Sequence, residues 1–419
     1  YHYNFLYVIL IAVIELQKYK KLIIVGIVFI LILILGFFTW RYLRVKFAKV
    51  EIILNENMNI EFLENAKVSD FITSINGTIV DDYEIDTTKV GKQKIEFTYI
   101  NEDNIKLDCS YEINIIDTTA PLVWLNSSYN VLEGSQVSLV DDILCGDNYD
   151  SNPTCEVIGD YNMNEAGSYD LVFKATDSSG NVTEKEFTLN VRKPSTSNES
   201  SSSSNARSYT QFADVVAEHK NENTEIGIDI SKWQGNVDFN ALKEAGVEFV
   251  IIRVGTSDGI GGENLLDSKF IQNIEGANKA GIPVGIYFYS YADSKARAEA
   301  DAKWVLDQIK DYDVSLPIAF DWENWNFYND FNLSFFGLSD IANSFVNVLK
   351  ESGYEGMLYS SKTYLENIWY SPDYPVWLAH YTSKTNYAGE YSYWQICNNG
   401  RVDGIDGDVD INIRYLATE

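Results

Sequence analysis

Two carboxylates at the end of an apolar run are the residues of this sequence whose types and spacing could most directly do chemistry. The run Leu316–Phe320 contains Pro317 and is followed by Asp321 and Glu323. This pattern predicts a buried strand, in which both carboxylates lie on one face with Cα atoms roughly 6–7 Å apart. Such a pair can protonate a leaving oxygen and stabilise or attack an oxocarbenium carbon, as in glycoside hydrolysis. Taken alone, it also fits a solvated turn.

Composition removes several other classes of function. The 419 residues carry 32 Lys and Arg against 61 Asp and Glu, a net charge of −29, which argues against a nucleic-acid partner. Of the three histidines, His380 alone lies beyond residue 224. This part of the sequence therefore offers too few histidines for a histidine-rich zinc site and little support for a Ser-His-Asp triad. We expect no metal and no cofactor.

The cysteines are too few for a disulfide-dense scaffold. There are four of them, at positions 109, 145, 155 and 397, and none forms a C-x-x-C motif. Cys145 and Cys155 are the disulfide candidate if the chain lies outside the cytoplasm. Cys397, near His380, could act as a nucleophile, but a buried structural thiol is favoured.

A long apolar stretch near the start predicts a membrane anchor. Leu22–Trp40 is 19 residues long and uncharged, which nearly matches a hydrocarbon core of about 30 Å. A signal peptide is the alternative, but no cleavage site follows. The positively charged residues on the two sides of the stretch are nearly equal in number, so they do not decide its orientation in the membrane. We assign the orientation from the downstream domains. Residues 1–21 lack an initiator Met at position 1 and are interpreted either as a truncated first helix or as translated upstream sequence.

Residues 50–192 predict two tandem β modules, 50–116 and 117–192. Strand-like alternation recurs, and the stretch Val90–Phe97 is echoed by Ala166–Phe173. The second module, with Asp117–Pro121 at its start and Ala175–Val182 near its end, resembles bacterial Ig-like surface modules, and the first resembles them less. The resemblance implies β-sandwich spacers or an adhesive stalk outside the membrane. The Ser-rich segment within 193–223 predicts a flexible linker.

Residues 224–419 alternate strand-like and helix-like stretches, which predicts a parallel β/α barrel. The end of the sequence departs from this pattern, because the last strand candidates, Val376–Tyr381, Tyr393–Ile396 and Val409–Ile413, follow one another without room for full helices. We therefore expect an irregular, TIM-like barrel closed by β-strands. The fold class is multidomain: a transmembrane helix, two Ig-like β-sandwich modules and this barrel.

Four blocks in this last domain resemble glycoside hydrolase family 25, the Chalaropsis-type lysozymes. They are Gly227–Gly235 (GIDISKWQG), Phe320–Glu323 (FDWE), Trp377–Tyr381 (WLAHY), and Tyr393–Gln395 (YWQ) followed by Val409–Asn412 (VDIN). The resemblance implies N-acetylmuramidase activity on the β-1,4 bond of peptidoglycan without a metal. It also implies that Glu323 is the general acid and that Asp321, Asp229 and Asp410 are its acidic partners. The block Arg253–Thr256 (RVGT) departs from the family's common pattern, which affects fine specificity more than reaction type.

Strand ends also predict how the acids work. In a β/α barrel the ends converge on one face, so four carboxylates there repel one another and raise the pKa of at least one, as a general acid requires. Spacing alone leaves inverting, covalent retaining and substrate-assisted routes open. Candidate substrate-binding residues, each with core packing as its alternative, are Tyr287, Tyr289, Tyr359, Trp377, Tyr381, Trp394 and Gln395.

Together these observations predict an extracytoplasmic peptidoglycan muramidase, held in the cell membrane by the single span Leu22–Trp40. Its partners would be peptidoglycan glycan strands and the membrane. Two alternatives stay open: a wall-binding protein whose barrel has lost activity, and a hydrolase of another N-acetylhexosamine polymer such as chitin.

Overall fold

The structure is a computed structural model that describes residues 2–194 and 208–416. It divides into two compact units, Tyr1–Thr118 and Thr119–Glu419. Of the linker predicted at 193–223, residues 195–207 lie outside the described residues. Its last part is ordered and belongs to the second unit, where Thr210–Gln211 pairs with a strand of the barrel.

The first unit begins with one long helix, α1, spanning His2–Lys46. Its segment Ile11–Lys46 is long and apolar enough to cross a membrane, which makes it a candidate membrane anchor or signal sequence. The helix extends beyond the predicted membrane span of 22–40 at both ends. The sequence offers no proline and no strong stop signal on either side of the apolar run, so the helix continues through both lysine-rich flanks.

The rest of the first unit is all-β. Its strands are β1 Ile52–Leu54, β2 Asn59–Glu61, β3 Ile72–Ile75, β4 Gly77–Ile79, β5 Gly91–Asn101 and β6 Lys106–Ile116. A four-stranded sheet has the order β2-β6-β5-β4, and β1 pairs with β3. Ile95, Phe97 and Tyr99 alternate into the core of this sheet, as the sequence pattern predicted for residues 94–99.

A second small β module opens the second unit. Its elements are β7 Leu122–Val123, β8 Ser128–Leu132, α2 Leu139–Asp142, β9 Cys145–Gly146, β10 Thr154–Ile158, β11 Gly167–Thr176 and β12 Val182–Arg192. Four strands form a sheet in the order β10-β11-β12-β8, while β7 pairs with β9. A disulfide between Cys145 and Cys155 joins β9 to β10. The likeness of this module and of the preceding one to Ig-like domains stays a prediction.

The remainder of the second unit is a closed eight-stranded β-barrel. Its strands are β14 Thr224–Ile230, β15 Val250–Ser257, β17 Val284–Tyr289, β18 Ile318–Asp321, β19 Gly356–Ser361, β20 Val376–Ala379, β21 Tyr393–Arg401 and β22 Val409–Tyr415, with the short β13 Thr210–Gln211 and β16 Asn264–Leu266 added at its edge. From β14 to β21 neighbouring strands run parallel. β22 closes the ring because it pairs antiparallel with both β21 and β14.

Helices cover the barrel unevenly. They are α3 Phe212–His219, α4 Phe239–Glu244, α5 Phe270–Ala280, α6 Lys295–Ile309, α7 Phe335–Glu351 and α8 Lys362–Asn367. α4 and α8 have only six residues each, and no helix occurs among the described residues between β20 and β22. The predicted irregularity at the end of the sequence therefore corresponds to three consecutive strands that close the sheet directly.

Strand alternation sorts the barrel's side chains into two layers. On β18, Ile318 and Phe320 join the cluster between the strands and the outer helices, while Ala319 joins the cluster inside the barrel. The same alternation turns Asp321 inward at the end of that strand. The interior therefore has an apolar floor and an acidic end.

A buried ion pair ties α6 to the sheet. Asp301 is fully buried, and its carboxylate accepts hydrogen bonds from Arg297 Nε at 2.7 Å and from Asn264 Nδ2 at 2.9 Å. Removing one partner of such a pair leaves a charge without compensation, which costs about 3–5 kcal/mol. We expect Asp301→Ala to lower the barrel's unfolding midpoint in urea, followed by tryptophan fluorescence.

Lys303→Ala is the matched control on the same helix. Lys303 faces Glu299 at 4.0 Å and both side chains are well exposed, so its loss should change the free energy of unfolding by less than about 1 kcal/mol. Equal midpoints for both variants would show that the buried pair does not stabilise the barrel.

Candidate active site

The structure brings the four predicted acids together at one end of the barrel. Asp229 on β14 lies directly opposite Asp410 on β22, and Asp321 ends β18. Glu323 follows two residues later, which places it on the same face. Asp229 and Asp321 are 5% and 3% exposed, whereas solvent reaches Glu323 at the mouth. This end corresponds to the carboxyl ends of the parallel strands, where barrel enzymes carry their chemistry.

Two amide side chains hold the carboxylate of Asp229. Its Oδ2 accepts hydrogen bonds from Gln395 Nε2 at 2.9 Å and from Asn412 Nδ2 at 2.8 Å. The amide oxygens are occupied as well: Asn412 Oδ1 accepts from Trp377 Nε1, and Gln395 Oε1 accepts from the hydroxyls of Tyr359 and Tyr381. Both amides are therefore fixed with their donors toward Asp229.

Asp410 serves as the protonated partner of Asp229. Burial, together with the negative charge of Asp229, raises the pKa of Asp410 to about 9. Burial also raises the pKa of Asp229, while hydrogen bonds from Asn412, Gln395 and Asp410 oppose that rise. At neutral pH Asp410 thus carries a proton that it can donate to Asp229, and the pair holds one negative charge rather than two.

The surroundings of the second pair, Asp321 and Glu323, favour the protonated form of both carboxyls. Burial raises the pKa of Asp321 well above its ordinary value, and the charges of Glu323 and Asp229 raise it further. Burial and then Asp229 raise the pKa of Glu323 to about 7. Although solvent reaches Glu323, protein atoms enclose most of its surroundings.

One cation opposes these rises. The positive charge of Arg253 lowers the pKa of Asp321, but its guanidinium is already bound to Asp267 at 2.6 Å. Within the described residues, Oδ1 of Asp321 is buried and has no hydrogen-bond partner. The site therefore combines a carboxyl poised to give up a proton near neutrality with a carboxyl oxygen that is free to bind a ligand.

The predicted aromatic residues occupy three different depths. Tyr287 and Tyr289 lie half-buried on β17, and Tyr381 lies at the mouth with 52% of its surface exposed. Tyr359 and Trp377 are buried, and their rings pack edge to face with centroids 4.6 Å apart. They form the floor beneath the acids, and their polar atoms orient Gln395 and Asn412.

Trp394 lies outside this group. It is buried in the layer between the strands and the outer helices, where its indole N–H donates to the carbonyl of His380 and its ring packs against His219 of α3. Gln395, the next residue of β21, faces the acids. Neighbouring residues of a strand point to opposite faces, so this placement gives Trp394 a packing role.

Cys397 does not fit the alternative role of nucleophile. It is buried in the outer layer, and that burial raises the pKa of its thiol. His380 instead forms a hydrogen bond with Thr385 at 2.8 Å. A protonated, enclosed thiol is structural rather than reactive.

Sequence reasoning missed Trp233, Asn412 and Arg253 as site residues. Trp233 follows Asp229 in a short 3-10 turn that ends at Gly235, where φ is +68°, and it is 76% exposed. A large aromatic ring so exposed, in the turn after the strand that carries Asp229, is suited to stacking on a ligand. All three residues lie within the motifs that carry the resemblance or its departure from the family pattern. Trp233 and Asn412 follow Asp229 and Asp410 closely along the chain, and Arg253 lies within β15, so closeness in sequence to the acids and to a barrel strand was the available signal.

Comparison with known proteins gives a family for this part of the chain. Residues 228–405 match the model of glycosyl hydrolases family 25, which confirms the predicted resemblance over that range. The autolytic lysozyme of Clostridium acetobutylicum is 30% identical over 189 residues, covering 44% of this chain and 54% of that protein. Lysozyme M1 of Streptomyces globisporus is 27% identical over 208 residues, covering 44% of this chain and 66% of that protein.

A solved structure is similar as well. The modular autolysin LytC from Streptococcus pneumoniae, solved with a synthetic peptidoglycan ligand, has 27% sequence identity and a TM-score of 0.43, covering 58% of this chain and 56% of that one. This chain thus spans about half the length of the autolytic lysozyme and of LytC.

The role of Asn412 can be tested by changing its charge. Asn412→Asp keeps an acceptor for Trp377 but places a carboxyl beside Asp229, where burial and like charge raise its pKa above the unfolded value of about 3.9. Stability should then be close to that of the parent at acidic pH and fall as pH rises, because the unfolded state loses the proton first. Thermal unfolding at pH 4 and pH 8 checks this.

Asn412→Ala is the companion variant. It leaves the Trp377 N–H unpaired and removes one of the two amide donors to Asp229 Oδ2 at every pH. Its cost of about 1–3 kcal/mol should therefore vary less with pH than that of Asn412→Asp. If Asn412→Asp were equally stable at both pH values, the inferred burial of negative charge would be wrong.

Proposed function

We propose that this chain is a lysozyme-type peptidoglycan hydrolase, because residues 228–405 are a domain of glycosyl hydrolases family 25. It would cleave the β-1,4 bond between N-acetylmuramic acid and N-acetylglucosamine. The observation that carries the proposal is Glu323, whose pKa is raised to about 7 beside a second carboxyl with a free oxygen. Relatives named as lysozymes support the same reaction.

Glu323 is the proposed general acid. It is the member of the acidic group that solvent reaches, so it can meet the oxygen of a bound glycan. A carboxyl with a pKa near 7 is still largely protonated at slightly acidic pH and passes its proton to the leaving oxygen as the glycosidic bond breaks.

Asp321 is the proposed stabilising partner. Its side chain is buried, and its Oδ1 is free to accept a hydrogen bond from the substrate. An N-acetylated sugar carries an N–H at C2 that such an oxygen can bind, which would orient the acetamido group near the reacting carbon. Asp229 and Asp410 support this pair electrostatically, because the single charge they share raises the pKa of both Asp321 and Glu323.

The exposed aromatic residues are the proposed glycan platform. Trp233 is 76% exposed in the turn that follows the strand of Asp229. Tyr381 is 52% exposed, and its hydroxyl donates to Gln395, while Tyr289 is half-buried at the end of β17. Rings of this kind stack on sugar faces while hydroxyls and amides bind the polar edges.

We also propose that α1 holds the enzyme in the cell membrane with both β modules and the barrel outside the cytoplasm. The candidate span Ile11–Lys46 and the Cys145–Cys155 disulfide support this placement, since disulfides persist in oxidising compartments. The first β module would then serve as a spacer between bilayer and wall.

Product analysis tests the proposed reaction. The full chain in detergent, incubated with peptidoglycan, should release fragments with new muramic acid reducing ends, identified by mass spectrometry. Glu323→Gln removes the proton donor with little change of shape and should lower the rate by about 10²–10⁴-fold. Glu299→Gln, the same change at an exposed position of α6, should leave the rate unchanged.

Three other outcomes contradict the proposal in different ways. No release by the parent chain would favour a wall-binding protein. New glucosamine ends or cleaved peptides would refute the muramidase reaction. Cleavage of chitin oligomers in preference to peptidoglycan would move the substrate to another N-acetylhexosamine polymer.

The pH profile tests the protonation state of Glu323. Because the acid must be protonated, kcat/KM should be high below its pKa of about 7 and fall about tenfold per pH unit above it. Rates on soluble glycan oligomers between pH 4 and pH 9 give the profile. A rate that keeps rising through pH 8 would remove Glu323 from the role of acid.

A further inference from the structure

The segment that follows Glu323 is held by the β module of residues 119–192. This segment, Trp325–Phe331, consists of 3-10 turns with a kink at Phe327, and Asn329 lies after the kink. Asn329 Nδ2 lies 3.0–3.2 Å from the carbonyl oxygens of Val140, Asp141 and Ile143, and its Oδ1 accepts from the N–H of Cys145 at 3.1 Å. With two N–H donors shared among three carbonyls and one oxygen that accepts, this single side chain holds the backbone of residues 140–145 of the module.

Backbone bonds and close packing continue this contact. The N–H of Phe335 donates to the carbonyl of Asp147 at 2.8 Å. Gly146 lies so near the rings of Tyr328 and Phe335 that an added Cβ would come within 2.8 Å of both. The surface is therefore fitted to the module and has no room for a larger residue.

Stacked rings connect the module with the residues beside the acid. Trp124 of the module packs on Tyr364 with ring centroids 5.3 Å apart, and Tyr364 stacks on Trp325 at 3.8 Å. Trp325 packs edge to face on Trp322 at 4.8 Å, and Trp322 directly precedes Glu323. The rings form a continuous column from the module to the backbone of the acid.

The disulfide braces the same surface. Cys145, whose N–H is bound by Asn329, is joined through β9 and the disulfide to Cys155 on β10. The loop that Asn329 binds is thereby tied to the four-stranded sheet of the module. A rigid support is what a segment next to a catalytic group requires.

We propose that Asn329 is a positioning residue for the catalytic acid and that the 119–192 module is the template that holds the segment after Glu323. This inference rests on the proposed function. It gives the module a part in catalysis, beyond the spacer role that the sequence suggested. The module fixes where the backbone leaves the barrel after Glu323, and so fixes the direction of the carboxyl.

The ionisable groups around Glu323 allow the positioning role of Asn329 to be tested through the pH dependence of the rate. Carboxyls face it from β14, β18 and β22, namely Asp229, Asp321 and Asp410, and Arg253 of β15 lies near Asp321. Phenol groups face it from four further positions, Tyr289, Tyr359, Tyr364 and Tyr381. Loosening the segment after Glu323 would admit water without removing any of these charges, so the high-pH limb of the rate profile should move to lower pH.

The experiment compares Asn329→Ala and Asn329→Asp in the full chain. Asn190→Ala is the control, since Asn190 makes an exposed amide–amide bond on β12, in the same module. Hydrogen exchange read by mass spectrometry reports residues 325–331, and initial rates on glycan oligomers give kcat, KM and the pH profile. For Asn329→Ala we expect faster exchange in 325–331, a kcat lower by about tenfold or more, and a smaller change of KM.

Asn329→Asp keeps the acceptor for Cys145 but loses the donors, so its kcat should lie near that of Asn329→Ala. If Asn329→Ala does not fold, the double variant Cys145→Ser with Cys155→Ser removes the brace and should raise exchange in 325–331 in the same direction. Asn190→Ala should match the parent chain in every readout.

The outcomes separate this inference from the proposed function. Faster exchange with unchanged kcat and pH profile would overturn the positioning role and leave a structural contact only. Unchanged exchange in both sets of variants would overturn the template itself. An inactive parent chain would overturn the proposed function, while the exchange data would still decide whether the module holds the segment.

Discussion

Placing several carboxyl groups out of water at one end of a closed sheet is the constraint on which this barrel depends. An unpaired buried carboxylate is costly, so each must be neutralised or hydrogen-bonded. Asp229 receives two amide donors and Asp410 carries a proton. Among the described residues, Arg253 is the cation that lowers the pKa of Asp321. The consequence of having so little positive charge nearby is an acid, Glu323, whose pKa lies near neutrality.

The strands supply this arrangement through their alternation. On β22, Asp410 and Asn412 are two residues apart and both face the interior, so one strand gives Asp229 a protonated partner and an amide donor. Beneath them, Trp377 and Tyr359 occupy the interior and use their polar atoms to orient the amides. Packing and electrostatics in this site are therefore produced by the same residues.

Much of the site could be predicted from local patterns, because alternation and strand ends are short-range features. Asp321 and Glu323 were located by their position after an apolar run. The same rule could have separated Trp394 from Gln395, since adjacent residues of a strand cannot share a face.

The exposed ring of Trp233 depends on a turn that ends at a glycine with positive φ, which spacing does not reveal. The contact between Asn329 and Cys145 joins residues 184 positions apart, so no local pattern could have indicated it. Helix α1 continues beyond the predicted span of 22–40 because the charged flanks of the apolar run contain no stop signal.

The closure of the barrel by its last strand has a consequence for the newly made chain. Asn412 lies 183 residues after Asp229, and β22 pairs with the first strand of the ring. Until β22 has emerged, the sheet is open and Asp229 lacks an amide donor and its protonated neighbour. At synthesis rates of about 5–20 residues per second, the acids stay unassembled for roughly ten seconds or more after Asp229 is made. The acidic end of the barrel is therefore assembled only in a chain that includes its last strand.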